Sequence, residues 1–122
     1  MDKLEHIFEL QRSFQDKLKR ERGLQDIPMT EWLQKQTLAM LSELAELLEE
    51  VNFKWWKYPH ELSEHNIHEE LSDILHFFVS MCIESGMSAD DLYQTYLGKN
   101  KENFNRQDGL SAKPGYEVKH EG

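Results

Sequence analysis

The stretch "SELAELLEEVNFKWWK", residues 42–57, decides how the rest of the chain is read. It begins as a leucine-rich helix in which Glu43 and Glu46, three positions apart, leave the same side. It ends at two adjacent tryptophans, Trp55 and Trp56, set between Lys54 and Lys57. A free carboxylate against apolar surface is costly, so a greasy helix that keeps two together calls for a reason beyond packing.

Working outward, this helix follows a break at "GLQDIPMT" (23–30), with Thr30 expected as its N-cap, and runs to about Val51. It is apolar over more than half its circumference, which predicts cover on two sides, from its own bundle and from a second subunit. Upstream, Leu4, Ile7, Phe8, Phe14 and Leu18 share one stripe of a helix expected from Lys3 to Arg22. Downstream, "FKWWKYPHELSEH" is a connection containing Pro59, and a third helix is expected from about Ile67 to Ser85, with Gly86 as its stop. Ser88 and Asp91 resemble a capping box opening a fourth helix that lasts to about Gln107. No repeat or strand pattern emerges. The sequence predicts an all-α, four-helix bundle-like domain over residues 1–108 and a polar C-terminal tail over 109–122.

Composition narrows the function. The chain has 122 residues, 30% of them charged and 39% hydrophobic, which fits one globular domain with a modest core. A formal charge of −9 argues against a nucleic-acid polymer or an anionic membrane as partner, because tracking phosphates needs positive surface. It leaves room for a small phosphorylated ligand held through metal ions. Cys82 is the single cysteine and reads as a small core residue. The charged N-terminus lacks a signal-peptide stretch and no apolar run is long enough to span a bilayer, so a cytoplasmic protein is expected.

With 23 acids, isolated E-x-x-E pairs are expected by accident and usually mark a solvated face. Glu43 and Glu46 stand out because the third helix, in "HEELSDILHFF", repeats the spacing with Glu70 and Asp73 inside another apolar stripe that continues to Phe77 and Ser80. If the two stripes face each other, four carboxylates converge and repel unless a cation sits among them. All-oxygen ligation favours Mg²⁺ or Mn²⁺. A di-iron centre is the other metal reading: Asp73-x-x-His76 approaches the Glu-x-x-His motif of di-iron bundles, but the second helix has no histidine. A helical interaction module, with its acids dispersed in solvent, is the reading without enzymatic chemistry.

Two further sets of residues suit a nucleotide. In "YLGKNKENFNRQDG", Tyr96, Lys99, Asn103 and Arg106 fall on one face of the fourth helix; this suits a polyphosphate, or equally a helix end with cations placed for its dipole. In the first helix Gln11 interrupts the apolar stripe, with Gln15 one turn on. A side-chain amide carries a donor and an acceptor and can meet two edges of a uracil, or it can be a boundary residue.

Together "LQRSFQD", "ELAELLEEVNFKWWK", "NIHEELSDILHFFVS" and "YLGKNKENFNRQDG", followed by Tyr116, resemble the dimeric all-α dUTPases within the broader superfamily of MazG-like NTP pyrophosphatases. The pair of glutamates running into the Phe-Lys-Trp-Trp-Lys corner is the most specific part. The resemblance implies a homodimer that hydrolyses dUTP to dUMP and pyrophosphate, or, in the alternative, another nucleotide such as dCTP or a broad house-cleaning range. It implies two or more Mg²⁺ ions, with Mn²⁺ a possible substitute, on Glu43, Glu46, Glu70 and Asp73. Glu43, or else Glu46, would orient and deprotonate the attacking water. Lys57, Lys99 and Arg106 would bind phosphate, Asn103 the sugar or phosphates, and Gln11, Gln15 and Trp56 the base. The chain departs from the family in carrying Gln15 where asparagine is common, and in setting Tyr116 farther beyond "RQDG" than expected.

Overall fold

The structure, a computed structural model, describes residues 1–116, and among these it contains four α-helices and no strand: α1 (Lys3–Arg22), α2 (Met29–Glu50), α3 (Glu64–Glu84) and α4 (Ala89–Gln107). The chain divides into two compact units, Met1–Ser88 and Ala89 onward. No described helix is long and apolar enough to cross a membrane.

In the first unit α3 packs against both α1 and α2. Side-chain contacts fix the directions. Gln11 meets His76, Gln15 meets Ser80 and Lys19 meets Glu84, a constant offset of 65 that makes α1 parallel to α3. Thr37 meets Met81 while Glu43 faces Glu70, so α2 runs antiparallel to α3. The buried line of α1 is Phe8, Gln11 and Gln15, not the whole predicted stripe, since Ile7 and Phe14 remain exposed. Trp32 of α2 and Val79, Ser80 and Cys82 of α3 complete the interior. Cys82 is a buried core residue, and burial pushes its thiol pKa up.

The helix ends follow local chemistry, with two corrections to the sequence reading. Thr30 is not the cap of α2. The helix already starts at Met29 behind Pro28, whose carbonyl accepts the first bond from the Trp32 N–H at 3.0 Å, and no side chain caps it. Proline holds extended backbone there without an N–H of its own to satisfy, so the helix opens two residues earlier than a Thr30 cap would set. The third helix begins at Glu64 rather than near Ile67, because Ser63 Oγ accepts from the Asn66 N–H at 3.2 Å. Gly86 does stop α3: at φ 87° it lets its N–H reach the Ile83 carbonyl and the Met87 N–H reach that of Cys82.

In the second unit, residues after α4 return along the helix. Ser111 Oγ donates to Glu102 at 2.9 Å and the Tyr116 ring lies 5.7 Å from the Arg106 guanidinium.

Candidate functional site

Antiparallel packing of α2 on α3 sets the two acidic pairs against each other. Glu43, Glu46 and Glu70 bring one carboxylate oxygen each within 4.8 Å of the others. Asp73 lies outside that tightest group, yet it shares a cleft with Glu43, and its charge acts on Glu43. The dispersed acids of an interaction module are therefore not what the fold produces. No histidine joins the group among the described residues, so the donor set is all oxygen, which suits a hard divalent cation rather than the His-containing di-iron motif.

The electrostatics agree with a cation site. Burial first, then the hydrogen bond and charge of Glu46, then those of Glu43, push the Glu70 pKa up to about 7. Glu43 is raised too, by burial first, then by the hydrogen bond and charge of Glu46 and the charge of Asp73. One oxygen each of Glu43 and Glu70, both Oε2, is buried without a hydrogen-bond partner. Crowded acids with unpartnered buried oxygens are what a bound cation would relieve.

Beside the acids lies a cleft of about 310 Å³ whose lining includes Gln11, Gln15, Gln36, Glu43, Asp73, His76 and Ser80. Four of its lining residues carry a buried polar atom that lacks a partner: Gln15 Oε1, Gln36 Oε1, Glu43 Oε2 and Ser80 Oγ. Such atoms lose free energy unless a ligand or water meets them. Gln11 is 8% and Gln15 6% exposed, so neither is a boundary residue. Gln11 Oε1 faces His76 Nδ1 at 3.0 Å, an arrangement in which the imidazole N–H donates and the Gln11 NH₂ is left for other partners.

Of the remaining candidates in the first unit, Trp56 and Lys57 are not among that cleft's lining residues. Both sit on the exposed loop between α2 and α3. Trp56 is braced edge-on by Trp55 at 5.4 Å and by Phe53 at 6.3 Å, and Lys57 makes no ion pair among the described residues. In the second unit Lys99 and Asn103 are exposed on α4, whereas Arg106 is engaged by Glu102 at 3.2 Å and Asn103 at 3.4 Å and stacks on Tyr116. Three cleft residues had gone unassigned in the sequence reading. Gln36 gave a signal, an amide among Trp32, Leu33, Ala39 and Met40; Ser80 reads from the sequence only as a stripe residue and His76 only in the di-iron alternative.

Comparison with known proteins adds an independent finding. A family model described as dUTPase matches residues 3–88, the extent of the first unit. A dCTP pyrophosphatase of Enterobacteria phage T4 is 49% identical over 39 residues, covering 32% of this chain and 23% of that protein. A dCTP pyrophosphatase of Enterobacteria phage LZ5 is 51% identical over 39 residues, again 32% of this chain and 23% of the relative. The match thus spans less than a quarter of the length of these curated relatives. No solved structure matches the chain.

Proposed function

The chain belongs to the dUTPase family, and from that premise and the converging carboxylates we propose that it is a Mg²⁺-dependent nucleoside triphosphate pyrophosphatase converting dUTP to dUMP and pyrophosphate. The observation that carries this reading is the meeting of Glu43, Glu46 and Glu70 beside a cleft lined by polar atoms without partners. Glu43, Glu46, Glu70 and Asp73 would hold two or more Mg²⁺ ions, with Mn²⁺ a substitute. When bound, the metal supplies positive charge for the phosphates and acidity for water.

The chain's own groups do the rest. Glu43 orients the attacking water and takes its proton, with Glu46 as the other candidate. The water oxygen bonds to the α-phosphorus, the bridge to the β-phosphate breaks, and pyrophosphate leaves. Lys57 is placed by sequence to meet phosphate charge, and Lys99, Asn103 and Arg106 keep that assignment on the spacing of α4 alone. The Arg106 guanidinium would exchange its present partners for phosphate oxygens. Gln11 and Gln15 read the base and Trp56 contributes a flat wall.

The rival substrate is dCTP. It is favoured by the names of the two phage relatives and by Gln15 standing where the family commonly has asparagine. A panel of NTPs and dNTPs with Mg²⁺, scored for monophosphate and pyrophosphate, separates the readings. Preferred turnover of dUTP supports the proposal, and preferred turnover of dCTP replaces the substrate. Release of orthophosphate, or turnover of none, overturns the activity itself. The reading further includes a homodimer, supported by the apolar stripes exposed on α1, α2 and α3.

A further inference from the structure

Glu84 ends α3 as a carboxylate in the last turn of a helix, where the dipole disfavours it. Its side chain is only 12% exposed and forms an ion pair with Lys19. The Lys19 ammonium also stands 5.2 Å from the centre of the buried Trp32 ring, so the cation is held from a third helix. The same Glu84 oxygen, Oε1, accepts a hydrogen bond from Gln15 Nε2 at 3.0 Å. The Ser80 carbonyl lies 3.5 Å from the same nitrogen, at the limit of a useful bond.

A carboxylate paired with an ammonium can only accept. The Gln15 amide must therefore turn its NH₂ toward Glu84 and its carbonyl the other way. That carbonyl oxygen is buried and has no partner, and Gln15 is among the residues that line the cleft with Glu43 and Asp73. Ser80 and Asp73 are seven residues apart on α3, about 10 Å of helix. The cleft thus has a metal-site end and an amide end, the layout a nucleoside lying along it requires.

We propose that Glu84 is a positioning residue: with Lys19 it locks the Gln15 amide so that the cleft presents a fixed hydrogen-bond acceptor to the base. The inference rests on the nucleotide reading above and deepens it. The ligand edge meeting Gln15 must carry a donor, the N3–H of uracil or the amino group of cytosine. The neighbouring Gln11 NH₂, freed by the His76 contact, meets an acceptor beside it. Which pyrimidine satisfies both in the available orientation then follows from an amide polarity set by a residue that does not line the cleft.

The test is Glu84→Gln, which keeps size but replaces an obligate acceptor by an amide of either polarity. Expected is a KM about tenfold higher for the preferred pyrimidine nucleotide, little change in kcat, and a comparable fall in the dUTP-to-dCTP discrimination ratio. In ¹⁵N-labelled protein without nucleotide, the Gln15 side-chain NH₂ signals, assigned by their loss in Gln15→Leu, should lose exchange protection in Glu84→Gln. Where Glu84→Gln alone does not fold, the swapped pair Gln15→Glu with Glu84→Gln is used. There the new amide donates to the new carboxylate, which again offers the cleft an acceptor, and discrimination should return relative to Gln15→Glu alone. An unchanged discrimination ratio, or unchanged Gln15 signals, overturns the proposal. If the wild-type protein turns over no pyrimidine nucleotide, the activity falls by itself and the amide spectra still decide whether Glu84 holds Gln15.

Discussion

Glu70 is the side chain whose chemistry most directly reports the site. Its carboxyl titrates near 7 instead of its ordinary 4.5, through burial and the neighbouring Glu46 and Glu43. A raised carboxyl means that the folded, metal-free protein binds more protons than the unfolded chain between these values. Its contribution to stability is therefore complete below about 4.5 and is lost as pH rises through about 7. The metal-free melting temperature should fall over that window, and Mg²⁺ should restore it most at the upper end, where the carboxylates are ionised. A Mg²⁺ effect independent of pH in differential scanning calorimetry would sink the site. Glu46→Gln and Asp73→Asn should each abolish turnover and weaken Mg²⁺ binding, measured by initial rates and titration calorimetry; near-wild-type rates in both would refute the four-carboxylate assignment. Gln11→Leu should lower kcat/KM for dUTP far more than for dCTP, since a buried amide meeting a mismatched edge leaves groups unpaired at about 1–3 kcal/mol each. The change also removes the acceptor that faces His76, so a thermal melt is needed beside the kinetics. Equal losses on both nucleotides would mean that Gln11 supports the fold. The acids were legible in the sequence because i, i+3 spacing within an apolar helix is a local signal. Glu84 was not, nor its pairing with Lys19, because the separations of 69 and 65 residues that bring it to Gln15 and to Lys19 are set by helix packing and leave no periodicity to read.

At the level of elements, the loop after α2 shows how a cationic, aromatic corner is held. Asn52, at φ 59°, ends the helix in the left-handed conformation, and its side chain grips the His60 backbone at both N–H and carbonyl, at 3.0 and 2.9 Å. The His60 ring lies between two carbonyls, Glu61 at 2.8 Å and Glu49 at 2.9 Å. Only an imidazolium donates from both ring nitrogens, and these two bonds, Glu61 first, raise the His60 pKa above its ordinary 6.5. The α2 C-terminus has no basic residue in its last turn, so the imidazolium also answers the helix dipole. The sign follows directly: this support is fully present below 6.5 and is lost as pH rises through the raised value. Tryptophan emission from the loop that carries Trp55 and Trp56 should shift as pH rises above 6.5 through the raised His60 pKa, and the shift should be absent in His60→Gln. An identical shift in that variant would show that another group titrates. Pro59 marked this connection in the sequence. The two-carbonyl cradle of His60 was invisible there, because it needs the chain to turn back on its own helix end. Ser63 was missed as a cap for a local reason: "SEHN" has Asn66 three residues on, where Ser88 has the acidic Asp91 that marked a capping box.

For the whole molecule, the decisive question is what covers the apolar surface that the first unit leaves open. Along α2, Leu38, Leu41, Leu44 and Leu48 are 67%, 53%, 37% and 46% exposed, and along α3 Leu71, Leu75 and Phe78 are 49%, 41% and 38% exposed. Each set follows helical spacing, so each is a continuous stripe rather than scattered residues, and a contiguous apolar patch of this kind marks an interaction surface. The breadth of the apolar face of α2 was readable from sequence, but which part of it α3 would cover was not. Self-association is the simplest occupant, because every copy carries the same stripes and a twofold arrangement buries a patch against itself. Leu41→Glu should then leave the isolated fold nearly untouched, since that side chain is already more than half exposed, while placing an unpaired charge inside the dimer contact. Such a charge costs about 3 kcal/mol or more, roughly a hundredfold in the dissociation constant. Sedimentation should find the wild type dimeric and Leu41→Glu monomeric at micromolar concentration, with helical content unchanged by circular dichroism. Turnover measured on the monomeric variant carries the argument one step further. If it disappears, the pocket is completed by the second copy; if it persists, one chain supplies every wall the nucleotide needs. A wild-type monomer that still hydrolyses dUTP would refute the dimer and leave the α2 stripe to a different partner.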